Sequence, residues 1–165
     1  MSDYDEAPSV YSGTYDVEVL IDRPMSEVWK QFLQLSSWVT SHRIEEVSGA
    51  PGTVGSITRV FDENATEPDY PPPHYHFCKV IKLIPEQRYV LKTYSEKGGS
   101  YGLRLACFDD FQFVAIDGKT KITFNLFAEF EGEAIARDPS IGGMDGSREG
   151  MAKNLNNLKR IVERN

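Results

Sequence analysis

The stretch LRLACFDDFQFVAIDGKTKITFNLFAEFE, Leu103 to Glu131, decides the fold. Leu103, Leu105, Cys107, Phe111, Phe113 and Ala115 share one parity, and Arg104, Asp110 and Gln112 share the other. That alternation predicts a long strand starting at Tyr101 with its odd residues buried. Asp117-Gly118 is a strong two-residue hairpin signal. Beyond it, Lys119 to Glu131 reads as a second strand with Ile122, Phe124, Leu126, Ala128 and Phe130 on one face. Two long strands that are apolar on one side only require another layer to cover that side.

C-terminal to the hairpin, Gly132 to Gly146 reads as a long glycine-rich loop. After it, Met151, Leu155, Leu158, Ile161 and Val162 recur at helical spacing within Ser147 to Glu163. This amphipathic helix, about 25 Å long, is the expected cover.

N-terminal to the hairpin, Arg88 to Tyr94 and His74 to Ile84 read as strands joined by the turn Pro85-Glu86-Gln87. The parity of His74 to Ile84 leaves open which of its faces is inward. Asp62 to Pro73 reads as a loop, stiffened by three prolines. Ser56 to Phe61 and His42 to Ser48 read as a strand pair around the glycine-rich turn Gly49 to Gly55.

Pro24 suits the first turn of a helix over Met25 to Leu35. Ser36 and Ser37 are expected to break that helix, with Trp38 and Val39 on a short second one. Tyr11 to Ile21 alternates as a half-buried strand. The expected architecture is α+β: a curved seven-stranded antiparallel sheet around a long C-terminal helix, with two short helices between the first and second strands. One domain over residues 11–165 follows a flexible acidic tail, 1–10.

Composition narrows the function. Nine Phe, eight Tyr and two Trp make 12% of the 165 residues aromatic, which is much rigid apolar area for one small domain to place. The net charge of −7 is concentrated in the first 22 residues, which hold six acids and no lysine or arginine before Arg23. No basic run exists, so nucleic acid and anionic membrane surfaces are poor partners. The sequence shows no secretion signal and no stretch of the roughly 20 apolar residues that span a bilayer, so a cytoplasmic location without stable membrane insertion is expected. On that reading the sequon at Asn64 is idle. Cys78 and Cys107 are too few for a disulfide framework and read as buried thiols.

The pattern resembles the START-like, or SRPBCC, superfamily with its helix-grip fold, and within it the polyketide cyclase/dehydrase and lipid-transport group. The matching stretches include IDRPMSEVW from Ile21 to Trp29, Trp38, Val47-Ser48-Gly49, and Gly52 to Ser56. They continue with IPEQRY from Ile84 to Tyr89, DGKTKITF from Asp117 to Phe124, and NLNNLK from Asn154 to Lys159. The resemblance implies a cavity between sheet and final helix. It also implies binding of a lipid, sterol, polyketide or aromatic compound.

Gly98-Gly99-Ser100-Tyr101-Gly102 matches a nucleophile-elbow string, but a strand follows where a helix is needed. Gly49 to Gly55 lacks the Lys-Ser/Thr of a phosphate loop and opens no helix. His74, His76 and Cys78 alternate along one strand face, too collinear to enclose a metal without a fourth group, so no metal and no cofactor are expected. Arg104 lies on the polar parity of its strand and is expected to face solvent, unless a bulge near Asp109-Asp110 changes the register.

The expected ligand-lining residues are Trp29, Trp38, His76, Tyr89, Leu91, Phe111, Phe113, Phe124, Phe130, Met151 and Leu155, with entry near Gly49 to Gly55 and Gly132 to Gly146. The leading expectation is a non-catalytic binder or transporter of a small hydrophobic ligand, as a monomer or weak homodimer. The alternative is a polyketide cyclase or dehydratase with His74 or His76 as general acid or base.

Overall fold

The structure is a computed structural model that describes residues 10–61, 75–94, 104–131 and 144–165; at 10–14, 104–106, 128–131 and 144–147 it describes the backbone alone. The acidic tail, the triproline loop, His74, the Gly98 to Gly102 turn, the start of the strand at Tyr101, and most of the Gly132 to Gly146 loop lie outside these residues.

Seven strands form one antiparallel sheet: β1 (Val10–Ile21), β2 (Arg43–Ser48), β3 (Ile57–Phe61), β4 (Tyr75–Ile84), β5 (Arg88–Tyr94), β6 (Arg104–Ile116) and β7 (Lys119–Glu131). Their order is β1-β7-β6-β5-β4-β3-β2. Helices α1 (Met25–Phe32) and α2 (Leu35–Trp38) carry the chain from one edge strand to the other, and α3 (Met144–Arg164) closes the sequence. This is the expected architecture, with α3 starting three residues earlier than its apolar periodicity predicts. No described helix is long and apolar enough to cross a membrane.

The β6–β7 hairpin forms on Asp117 and Gly118, both left-handed at φ 49° and 77°. That is the geometry of a two-residue turn whose twist matches its strands. The helix break falls at Leu33 and Gln34 rather than at the two serines. The Ser37 hydroxyl accepts from Gln31 Nε2 at 2.8 Å and donates to the Gln34 carbonyl at 2.6 Å, so it supports a second helical turn. Trp38 is thereby swung inward, where its Nε1 donates to the Phe32 carbonyl at 2.9 Å.

Gly49, at φ 78°, is required by a close approach: a Cβ there would lie 2.9 Å from Ser56 Cα. The turn that it opens is tied to β4, with Gly55 N donating to Val80 O at 2.7 Å.

Register decides which side chains face α3. Val17 pairs with Phe124, Phe124 with Phe111, and Phe111 with Tyr89, so these positions share the inner face. The open question about β4 resolves through a register shift between Val80 and Lys82. Before the shift, His76, Cys78 and Val80 face inward; after it, Leu83 does, and Ile81 is left exposed. A second shift falls between Arg104 and Ala106, not near Asp109, and it pairs Arg104 with Phe130. The solvent-facing parity expected for Arg104 therefore does not extend across the bulge.

The C-terminal end of α3 is clamped to the β1–α1 corner. Glu163 accepts from Asp22 N and from Lys159 Nζ, both at 2.9 Å, and its own carbonyl accepts from Arg23 Nη2 at 2.6 Å. Lys159 also donates to the Leu20 carbonyl at 2.6 Å. The backbone N–H of Asp22, helped by the Lys159 ammonium, holds the Glu163 carboxyl below the usual glutamate range. A lowered folded-state pKa contributes stability above the unfolded value and loses it as pH falls through the folded one. Glu163→Gln is therefore expected to lower the urea midpoint at neutral pH. The deficit should close as pH drops from the ordinary glutamate range through the lowered value, and a pH-independent deficit would show that the charge is not involved.

Candidate functional site: the inner face of the sheet

The aromatic side chains at the α1–α2 end are close-packed. Phe32 is fully buried, and its ring centroid lies 4.9 Å from Phe113, 5.0 Å from Phe111, 5.2 Å from Tyr89 and 5.3 Å from Trp38. Trp29 meets Phe113 edge-on at 5.0 Å, and Phe111 meets Phe124 at 4.8 Å. Most of these are the edge-to-face and offset contacts that ring quadrupoles favour. Thus six of the expected lining residues (Trp29, Trp38, Tyr89, Phe111, Phe113 and Phe124) come together through Phe32 into a solid block. Leu155 is also fully buried, whereas Met151 and His76 are only partly covered. Phe130 lies on β7 with its side chain outside the described set.

Tyr89 is 3% exposed. Burial first, and the neighbouring Cys78 second, push its phenol up to about 12. It is therefore neutral at physiological pH and can offer hydrogen bonds, but it is not a base.

Beyond this block, the inner face changes character. The row Thr58, Cys78, Thr93 and Cys107 crosses four strands, and the row Val80, Leu91, Asp109, Leu126 and Tyr15 crosses five. Val60 and His76 pair in a further row towards the start of β4. Thr93 spends its hydroxyl on the Cys107 carbonyl at 3.3 Å. Cys78 and Cys107 are buried cysteines outside any disulfide, two strands apart, about 10 Å by strand spacing, too far to bridge each other. Among the described residues, no group of three or more His, Cys, Asp or Glu could hold a metal ion.

Asp109 and Tyr15 were not among the expected site residues. The odd parity that marks Phe111 and Phe113 as inward also includes Asp109, so position would have found it where hydrophobicity did not.

Helix α3 lies nearest β1, α2 and α1 among the described residues. Asn154, 4% exposed, fixes it there: its Oδ1 accepts from Thr40 N at 3.2 Å, and its Nδ2 donates to Ser41 Oγ at 3.0 Å. Asn157 Nδ2 adds a bond to Thr40 Oγ1 at 2.8 Å. The Gly49 to Gly55 turn, one of the expected entrances, packs at this same end: a Cβ on Gly52 would touch Leu33 at 3.5 Å. The ends of β3, β5 and β7 and the starts of β4, β6 and α3 all lie at the opposite end. A separate open groove is lined by Arg88, Val90, Phe108, Asp110, Asn125, Leu126 and Phe127, all but Leu126 on the outer parity of their strands. Arg88 and Asp110 pair across it through two bonds, at 2.7 and 3.0 Å.

No protein-family model matches the sequence, and no curated protein matches it. Solved structures do match over nearly the whole chain. A crystal structure of Ara h 8.0201 is similar with a TM-score of 0.66 and 17% identity, over 93% of this chain and 99% of that one. Norcoclaurine synthase from Thalictrum flavum, solved with dopamine and hydroxybenzaldehyde, gives 0.67 and 13%, over 94% and 89%. The Zhui aromatase/cyclase from Streptomyces sp. R1128 gives 0.69 and 12%, over 93% and 95%.

The packing of the block makes a direct prediction. Phe32→Ala should cost about 3–5 kcal/mol in a urea melt, the usual penalty for emptying a fully packed aromatic site. A cost below about 1 kcal/mol would mean that the rings do not close that end.

Proposed function

Because the chain has the helix-grip fold of START-like proteins, we propose that it binds a small apolar or aromatic molecule between the inner face of the sheet and α3, beyond the aromatic block. The observation that carries this reading is that, beyond the buried rings, the partly covered Tyr15, Thr58, His76, Asp109 and Met151 stand among the buried Cys78, Val80, Leu91, Cys107 and Leu126 on the inner face. Apolar burial supplies the affinity at about 25 cal/mol per Å², and the few polar groups orient the ligand. Entry is from the end where β4 and β6 begin, remote from the Gly49 turn. The structural neighbours are compatible with this reading, since one was solved with two small aromatic compounds and another is an aromatase/cyclase.

Catalysis of the cyclase type is the second reading, and the inward position of His76 favours it. Its mark would be turnover of a poly-β-keto substrate that disappears in His76→Ala while binding survives.

Binding itself is tested by fluorescence titration with neutral N-phenyl-1-naphthylamine. Met151→Trp, which enlarges a partly covered residue of α3, is expected to weaken the probe at least about tenfold while the melting temperature stays close to wild type. Equal affinity in the two proteins would place the probe elsewhere and overturn the reading. Native mass spectrometry of gently purified protein should show a retained apolar compound.

A further inference from the structure

Tyr89 is 3% exposed and stands on the inner parity of β5, paired with Phe111 at the boundary of the aromatic block. Three rings meet its own edge-on: Phe32 at 5.2 Å, Phe111 at 6.4 Å and Trp29 at 6.5 Å. These contacts hold the ring, and with it the place of the hydroxyl. Cys78, which acts on the phenol, stands two inward rows nearer the open end on the neighbouring strand. The hydroxyl is thereby on the side of the block that faces the remaining interior.

Other buried polar side chains of the protein are spent on partners. Trp38 Nε1 donates to the Phe32 carbonyl at 2.9 Å, the Thr93 hydroxyl to the Cys107 carbonyl at 3.3 Å, and the Thr120 hydroxyl to the Arg23 carbonyl at 2.9 Å. Asn154 is held by Thr40 and Ser41. Among the described residues, the Tyr89 hydroxyl has no hydrogen-bond partner. A buried hydroxyl left unpaired costs free energy that a phenylalanine at the same place would not. That cost is recovered when a molecule in the interior accepts its proton in a hydrogen bond.

We propose that the Tyr89 hydroxyl makes this interior selective for apolar or aromatic molecules with a carbonyl oxygen at the end that penetrates deepest. The O–H donates to that oxygen, and the apolar body lies against the buried Val80, Leu91 and Leu126. This rests on the binding reading above and names its ligand class. A neutral phenol keeps its proton throughout the physiological range and is a better donor than acceptor, so the group it recognises is an acceptor.

The test titrates the full chain calorimetrically with 2-acetylnaphthalene and 2-isopropenylnaphthalene, which share one shape and differ in a carbonyl oxygen against a methylene. Tyr89→Phe removes the hydroxyl and keeps the ring. It is expected to weaken the ketone about three- to tenfold and to leave the alkene's affinity unchanged or tighter. The urea midpoint of the variant should not fall, since no hydrogen bond within the protein is lost. A substitution that affects both compounds alike, or that lowers the midpoint, overturns the selectivity and leaves the binding reading standing. Binding of neither compound by wild type overturns both.

Discussion

One helix cannot cover seven strands. The sheet is about 29 Å wide at the usual strand spacing, and a helix with its side chains is about 10–12 Å across. The rest of the structure follows from how that mismatch is resolved. Polar ties hold α3 to one side: Glu163 and Lys159 at the β1–α1 corner, and Asn154 and Asn157 at the segment after α2. Hydrophobic attraction is non-directional and would let the helix slide across a smooth apolar face, whereas hydrogen bonds of fixed geometry do not. With α3 so placed, α1, α2 and the rings of Trp29, Phe32 and Trp38 fill one end. On the remaining inner face Cys78, Val80, Leu91, Cys107 and Leu126 are buried too, while Tyr15, Thr58, His76 and Asp109 are only partly covered.

The aromatic content divides along the same line. Tyr15, Trp29, Phe32, Trp38, Tyr89, Phe111, Phe113 and Phe124 lie within, but Phe61, Tyr75, Phe77, Tyr94, Phe108 and Phe127 occupy the outer parity of their strands. These outer rings are covered by one another and by cations. Phe77 stacks on Tyr94 at 5.5 Å, the Arg43 guanidinium lies 3.7 Å above Phe61, and Arg59 lies 5.0 Å from Tyr75. A high aromatic count therefore does not measure the size of the interior, because long cationic side chains can shelter a ring on the solvent side of a sheet.

How much could be read from the residues alone depended on whether a local rule held without interruption. The Asp117-Gly118 turn and the even parity of β7 run unbroken, so Ile122, Phe124 and Leu126 could be placed inward from the sequence. On β4 the bulge around Ile81 inverts the pattern in mid-strand, and no residue there announces it. The Ser36-Ser37 pair reads as a helix breaker, yet Ser37 lies within the second helical turn and its hydroxyl donates to the Gln34 carbonyl. Among the candidate site residues, spacing selected rings, and rings are what a closed end needs. The polar positions Asp109 and Tyr15 share the parity of the buried residues on their strands, so position marks them where hydrophobicity does not.

Geometry also separates the two chemical groups that a catalytic reading would want to combine. His76 and Asp109 stand on strands separated by β5, about 10 Å across the sheet, and two inward positions apart along it, about 13 Å. Groups so far apart cannot share a proton directly, since acid–base partners need heavy-atom contact near 3 Å or one intervening water. Tyr89, held neutral by burial, cannot replace either of them as a base.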